Sequence, residues 1–232
     1  MEVSLLRKLT VAHRYVESHM NRGEIANGGR RDSIVRVINH RARVPVDGRV
    51  VDTTSRSAEL WSRGLSPFYL GPVGLYGAFA AENVENAWQY CKVYDQYVGL
   101  DGRPTAEYFT WATRGWNDPV ARRYPMGRGA RPLYSLWRVD GEDHHLGYIE
   151  ARRVIYCPLY SSEVVDTDAW TRLRAIYDEG RRTGTILYLR DFDGYDHVRA
   201  GMTYRDVVYN PDKKMGHAFV LAMMLEGDRA WI

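Results

Sequence analysis

The segment AENVENAWQYCKVY, residues 81–94, predicts an amphipathic helix whose polar face is interrupted by a tryptophan. At about 100° per residue, one side of this helix carries an apolar and aromatic stripe: Val84, Ala87, Tyr90, Cys91 and Tyr94. The other side carries Glu85, Trp88, Gln89 and Lys92, which are neighbours because they are three or four positions apart. This second face either meets water with one stray aromatic ring, or lines a cleft where an acid, an amine and a flat ring contact a ligand.

The composition is that of a globular protein with a substantial core. The chain has 232 residues, of which 45% are hydrophobic and 26% are charged. That length suits one large domain or one domain with an extension. No apolar run is long enough for a membrane span, and the first residues lack the apolar run of a secretory signal. We therefore expect a cytoplasmic protein that makes no membrane contact.

Positive charge is concentrated near the amino terminus. Residues 1–50 contain ten Lys or Arg and five Asp or Glu, whereas the remainder is close to neutral. We predict that residues 1–50 form a basic extension packed on a domain that spans residues 51–232. A basic segment permits, without requiring, a contact with the phosphates of DNA.

Metal and disulfide chemistry have little support in the sequence. The two cysteines, Cys91 and Cys157, fit a reducing compartment and do not show metal-ligand spacing. His144 and His145 are adjacent but have no second cluster of candidate ligands. We expect no metal and no cofactor.

Periodicity and turn residues predict a mainly helical α+β fold with a few short strands. Helices are expected at 4–20, 79–97, 105–115, 167–184 and 213–227. Strands are expected at 48–55 and 185–196, and within 34–46, where a short helix before the strand is an alternative. Segment 147–165 is ambiguous between helix and strand. Loops are expected at 66–77 and 119–137.

Four segments, taken in order, resemble the NADAR superfamily of YbiA-like proteins. The segment VENAWQYCK (84–92) is similar to the family's S-E-H-x-F-Q-x-x-K helix, with Glu85, Trp88, Gln89 and Lys92 on the matching positions. The segments SPF (66–68), PMGRGARPLY (125–134) and KKMGHAFVLAMML (213–225) resemble three further motifs of the family. Together they span roughly residues 60–225.

The resemblance implies a YbiA-like domain with N-glycosidase activity, which cleaves a bond between a ribose carbon and a nitrogen. It implies a nucleotide or an ADP-ribosyl-type substrate, in a bacterial or phage setting where altered DNA must be handled. Such a reaction needs an acid for the departing nitrogen and a nucleophile for the sugar. On this basis Lys92 forms a Schiff base with the sugar, Glu85 transfers the proton, Trp88 stacks on the ligand, and Gln89 holds a hydroxyl or carbonyl group.

Each of these residues also has an ordinary structural explanation. Lys92 could extend along the surface to water, and Glu85 could serve only the positive end of its helix dipole. Further candidates are Arg128 and Arg131 for phosphate binding and Asp191 and Asp193 for catalysis. Arg128 could instead be an exposed turn residue, and the acids could serve the Asp-Gly turn.

Phe68 and Tyr69 are the last candidates, as walls of the pocket, although the sequence favours a core position for Phe68. Three functions remain open. The first is an N-glycosidase, the second is a non-catalytic module that binds nucleotides or nucleic acid, and the third is a base-modifying or base-exchanging enzyme on the same scaffold.

Overall fold

The computed structural model describes residues 33–139 and 141–232, so the predicted helix at 4–20 lies outside the described residues. The strands are β1 (Val35–Asn39), β2 (Gly48–Asp52), β3 (Val73–Gly74), β4 (Ala80–Ala81), β5 (Lys92–Val93), β6 (Tyr134–Val139), β7 (Glu142–Leu146) and β8 (Ile186–Asp191). The α-helices are α1 (Leu60–Arg63), α2 (Val84–Tyr90), α3 (Ala106–Trp116), α4 (Tyr148–Ala151), α5 (Cys157–Val164), α6 (Asp168–Thr183), α7 (Tyr204–Tyr209) and α8 (His217–Glu226). This mixture of helices and small sheets confirms the α+β class.

Three strands form a parallel sheet whose middle strand is buried in the core. Its strand order is β1-β8-β2, and both neighbours run parallel to β8. Strand β8 pairs on both edges, and Leu187 and Leu189 are buried, as expected for an apolar strand inside a parallel sheet. Asp191 is the last residue of β8 and therefore lies at the carboxyl end of this sheet.

The amino-terminal boundary predicted after residue 50 falls inside β2. Strands β1 and β2 both pair with β8, and residues from Ile34 onwards form one compact unit. The described part of the predicted extension therefore belongs to the central sheet, because its Val-rich segments supply both edge strands.

The helix predicted at 79–97 is much shorter than expected. Helix α2 begins after Asn83, whose side chain accepts a hydrogen bond from the Asn86 N–H, and it ends at Tyr90. The carbonyl of Cys91 accepts from the Leu136 N–H at 2.8 Å, and Lys92 and Val93 pair with β6. Pairing with a distant strand thus overrides the local helical pattern, and Lys92 lies on β5.

An antiparallel sheet follows in the order β5-β6-β7. The loop predicted at 119–137 extends only to Leu133, because residues from Tyr134 onwards form β6 and pair with β7. Strand β7, with its sequence EDHHL, is an exposed edge whose charges suit a position facing water.

The ambiguous segment 147–165 is helical. Helices α4 and α5 are joined by a π-helical segment, Arg152–Tyr156, in which the Cys157 N–H donates to Arg152 O. Pro158 has no N–H, and its ring clashes with the carbonyl four residues earlier in a regular helix. The wider π-helical turn is a known way to accommodate such a residue.

The prediction for residues 167–184 is confirmed by α6, which is capped by the Thr167 hydroxyl and ends at Gly184 in the left-handed conformation. Helix α8, predicted at 213–227, begins at His217 and is buried almost throughout. It packs against β1, β8 and α5, so the carboxyl-terminal segment closes the core.

Arg152 is buried and holds the segment that leads into α8. Its guanidinium donates to the carbonyls of Val207, Val208, Asn210 and Lys213 at 2.8–3.1 Å. It also lies 4.5 Å from the Tyr148 ring centroid. Carbonyl dipoles at the end of α7 therefore surround this buried cation.

Candidate functional site

Three predicted residues form a continuous hydrogen-bonded chain. The Gln89 amide donates to Glu85 Oε1 at 2.9 Å, and Lys92 Nζ donates to Gln89 Oε1 at 2.7 Å. Glu85 and Gln89 are buried, whereas Lys92 keeps part of its surface exposed. Helix α2 fixes the first two residues one turn apart, and β5 brings the lysine to the end of the chain.

Trp88 lies beside the lysine. Lys92 Nζ is 4.6 Å from the centroid of the Trp88 ring, within the range of a cation–π contact. The same ring packs against Tyr156 at 5.2 Å. The tryptophan is therefore half-buried between an amine and a second aromatic ring, and the polar face of α2 does not look into bulk water.

Burial shifts the two ionisable ends of this chain in opposite directions. Desolvation raises the pKa of Glu85, opposed by the hydrogen bond from Gln89 and by the charge of Lys92. Desolvation also lowers the pKa of Lys92; the charges of Cys91 and Glu85 oppose this shift, and the charges of Lys214 and Arg123 add to it. The site thus favours a protonated acid and a neutral amine more than water does.

Asp191 is buried at the end of β8 and is held by the start of α8. Its Oδ2 accepts from the Ala218 N–H at 3.0 Å and lies 3.1 Å from His217 Nδ1. The other ring nitrogen of His217 lies 2.8 Å from Thr53 O. The imidazole therefore bridges the carboxylate at the end of β8 and the backbone carbonyl that follows β2.

Gly216 permits this close approach. A Cβ at this position would lie 2.6 Å from Asp191 Cγ and would overlap Oδ2. The carboxylate of Asp191 therefore packs directly against the start of α8 and holds it in place.

Asp193 forms an ion pair with Arg123, with 2.6 Å between Oδ2 and Nη2. The Arg123 side chain is 29% exposed and the Asp193 side chain 28%, so the pair lies near the surface and not in the core. Arg123 also favours the ionised form of Glu85 and disfavours the protonated form of Lys92. Arg123 therefore pairs with Asp193 after β8 and, through its charge, also acts on both ends of the Glu85–Lys92 chain.

The remaining predicted residues lie nearer the surface. Arg128 and Arg131 are exposed, Tyr69 is 58% exposed, and Phe68 is half-buried. The Glu85 N–H donates to Pro67 O at 3.0 Å, so the turn that carries Phe68 contacts the start of α2. Of these four residues, Arg128 joins a group of cations around Tyr124.

Sequence reasoning missed His217, Arg123 and Tyr156. His217 is the one histidine in an otherwise apolar helix segment, which is a usable signal for a buried polar contact. Arg123 lies in an Arg-Arg pair in a loop, and Tyr156 lies in a stretch rich in tyrosine, so neither position is distinguished by pattern alone.

An open groove of about 540 Å³ lies elsewhere, on the outer face of α3. It is lined by Phe79, Phe109, Thr110, Thr113, Arg114 and Asn117. None of the predicted site residues contributes to it. We assign it no role in the site.

Within residues 33–139 and 141–232, no group of three or more metal-ligating side chains is assembled. In the same ranges, no helix combines the length and the apolar character needed to cross a bilayer.

Comparison with known proteins gives a family without an assigned activity. No curated protein and no solved structure matches the chain. A family model matches residues 35–201, which include Glu85, Lys92 and Asp191. Because this match covers more than half of the sequence, the chain belongs to the family of unknown function DUF6939.

Proposed function

We propose that this protein is an N-glycosidase that cleaves a ribose–nitrogen bond in a nucleotide or a modified nucleobase. The observation that carries the proposal is the Glu85–Gln89–Lys92 chain beside Trp88. An acid whose pKa is raised and an amine whose pKa is lowered, held one glutamine apart, are the pair that this reaction needs. The resemblance to the NADAR superfamily, including a YbiA-like architecture, is part of the same proposal.

In the proposed reaction, neutral Lys92 Nζ attacks the anomeric carbon of the ribose. The bond from that carbon to the base nitrogen breaks, and the nitrogen leaves with the electron pair and takes a proton from the Glu85 carboxylic acid. A proton then passes from Nζ to the ring oxygen, the bond between that oxygen and the anomeric carbon breaks, and the nitrogen lone pair forms the C=N bond of a protonated Schiff base. Water then hydrolyses this imine, which releases the sugar and restores the amine.

Gln89 and Trp88 support this chemistry in different ways. Gln89 fixes the distance between the acid and the amine, because its amide group donates to Glu85 while its carbonyl accepts from Lys92. Trp88 shields one side of the amine and offers a flat surface to a base or sugar. Asp191 and Asp193, predicted as catalytic, take the roles of holding α8 and orienting Arg123.

The test is chemical trapping of the Schiff base. We would incubate the full chain with ADP-ribosylated guanine DNA and with free nucleotides, add borohydride, and search for a sugar adduct by mass spectrometry. An adduct on Lys92 is expected in the wild type and in the control Lys213→Arg, since Lys213 is an exposed lysine that contacts Tyr195. Lys92→Arg should give no adduct and no turnover, because its guanidinium stays protonated.

Three results would contradict the proposal. An adduct on another lysine would refute the assignment of Lys92. Tight ligand binding that survives in Lys92→Arg, with no turnover in either protein, would indicate a binding module. Incorporation of a free labelled base into the product would instead indicate a base-exchanging enzyme.

A further inference from the structure

We infer that Arg56, Arg123, Arg128 and Lys214, which surround the rings of Tyr124 and Phe192, form a phosphate-binding rim beside Lys92. We call these four cations and two rings the cationic rim. The inference rests on the proposed function, because that function makes the bound phosphate compound the substrate of the enzyme. A rim of this kind would bind phosphorylated nucleotides more tightly than uncharged nucleosides.

Three of the cations gather around one ring. The guanidinium carbon of Arg123 is 5.5 Å from the Tyr124 centroid, that of Arg128 is 5.8 Å away, and Lys214 Nζ is 5.9 Å away. The Tyr124 side chain is 42% exposed, so a ligand in solution can reach the group. Because all three cations lie against the same ring, they repel one another, and a bound anion would reduce that repulsion.

The fourth cation is joined through a second ring. Arg123 also lies 5.3 Å from the Phe192 centroid, and Arg56 lies 5.7 Å from the same centroid. Arg123 is thus shared by both rings and links Arg56 with the Tyr124 group. Four separate stretches of the chain bring these residues together: the turn after β2, the loop before β6, the turn after β8 and the segment before α8.

The positive charge of the cationic rim is only partly neutralised. Asp193 pairs with Arg123. In the part of the chain that the structure describes, the side chains of Arg56, Arg128 and Lys214 form no ion pair. A guanidinium group binds two phosphate oxygens at once and an ammonium group acts as a point charge, so this combination suits a phosphate or pyrophosphate.

The cationic rim is electrostatically close to the reactive amine. The charges of Lys214 and Arg123 both help to lower the pKa of Lys92, and Arg123 favours the ionised form of Glu85. Arg123 and Lys214, which lie against the Tyr124 ring, are thus the members of the rim whose charges act on the Glu85–Lys92 chain. This is the arrangement expected if phosphate groups anchor a nucleotide whose ribose reaches Lys92.

Direct binding measurements test the rim without any need for catalysis. We would titrate the full chain with pyrophosphate, ADP and adenosine by isothermal calorimetry at low and at physiological salt. Pyrophosphate and ADP should bind, adenosine should bind at least about tenfold more weakly, and added salt should weaken the phosphate-dependent part.

Variants identify the residues. Arg128→Ala and Lys214→Ala should each weaken ADP binding by about tenfold, because each removes a charged hydrogen-bond donor. Neither side chain makes a hydrogen bond or ion pair within the described residues, and circular dichroism would check that both variants fold. Arg205→Ala is the matched control, since Arg205 is an exposed arginine 4.7 Å from the Tyr209 centroid, outside the rim.

The outcomes separate this inference from the proposed function. Equal affinities for ADP and adenosine, or equal losses in Arg205→Ala and in the rim variants, would overturn the phosphate-binding rim even if Lys92 is trapped. Specific ADP binding that depends on Arg128 and Lys214, without any Lys92 adduct, would support the rim and refute the glycosidase.

Discussion

Replacing Gly216 by alanine tests whether the start of α8 is built around Asp191. The backbone of Gly216 has φ −83° and ψ 169°, an extended conformation that alanine adopts without strain. The obstacle is the new methyl group, which would lie 2.6 Å from Asp191 Cγ and 2.8 Å from Oδ1. Any destabilisation of Gly216→Ala therefore reports this contact and not the loss of glycine flexibility.

The size of the effect follows from the bonds that must be given up. Carbon atoms pack at about 3.5 Å or more, so the carboxylate has to move by about 1 Å. It then loses its contacts with the Ala218 N–H and with His217, which now measure 3.0 and 3.1 Å. Leaving buried hydrogen-bonding groups without a partner costs about 1–3 kcal/mol for each group. With partial relaxation we expect about 3 kcal/mol, which lowers Tm by about 6–12 °C in a chain of this size.

Thermal and urea denaturation at neutral pH measure this loss. The control is Gly74→Ala, because a Cβ at Gly74 has no neighbour within 4 Å. The double variant Gly216→Ala/Asp191→Ala should be less destabilised than the sum of the single variants, since both changes remove the same contact. A Gly216→Ala protein that melts with the control, or strict additivity in the double variant, would refute the reasoning.

Three further outcomes are expected. Arg152→Lys should cost at least about 3 kcal/mol in urea denaturation, because an ammonium group cannot reach four carbonyls spread over Val207 to Lys213; an unchanged midpoint would contradict this. Burial lowers the pKa of His197 from 6.5 to about 4, so its contribution to stability is present above pH 6.5 and is lost as the pH falls towards 4; His197→Phe should flatten that loss between pH 6.5 and about 4. Burial raises the pKa of Glu85, so its ionisation costs stability as the pH rises through the folded-state pKa. Glu85→Gln should therefore be at least as stable as wild type at pH 7, and it should lose turnover. A destabilised Glu85→Gln variant would contradict the raised pKa.

Local pattern predicts the elements whose ends are marked by their own residues. Helix α6 has a threonine cap, an apolar stripe and a terminal glycine within one segment, so its bounds follow from sequence. The predicted neighbourhood of Glu85, Gln89 and Lys92 is also present, although for a partly different reason. The first two are neighbours through the helix, whereas Lys92 reaches Gln89 from strand β5.

Features created by distant pairing are not visible in a local pattern. The end of α2 is determined by Leu136, 45 positions further along the chain, because its N–H donates a hydrogen bond to the Cys91 carbonyl. Likewise His217 meets Thr53 across 164 positions, and Arg123 meets Asp193 across 70. A single sequence shows the residue types for these contacts but not which ones meet, because loop closure and sheet pairing select the partners.

The dependence of Asp191 on α8 has a consequence for synthesis on the ribosome. The acid is made 27 positions before Ala218, the residue whose N–H caps it. At ordinary elongation rates, a growing chain spends roughly 1–5 s with this carboxylate made but not yet capped. During that interval all three strands of the central sheet exist, but α8, which packs against β1 and β8, does not. A nascent or prematurely stopped chain therefore lacks the sealed core and presents an uncovered sheet face to chaperones and proteases.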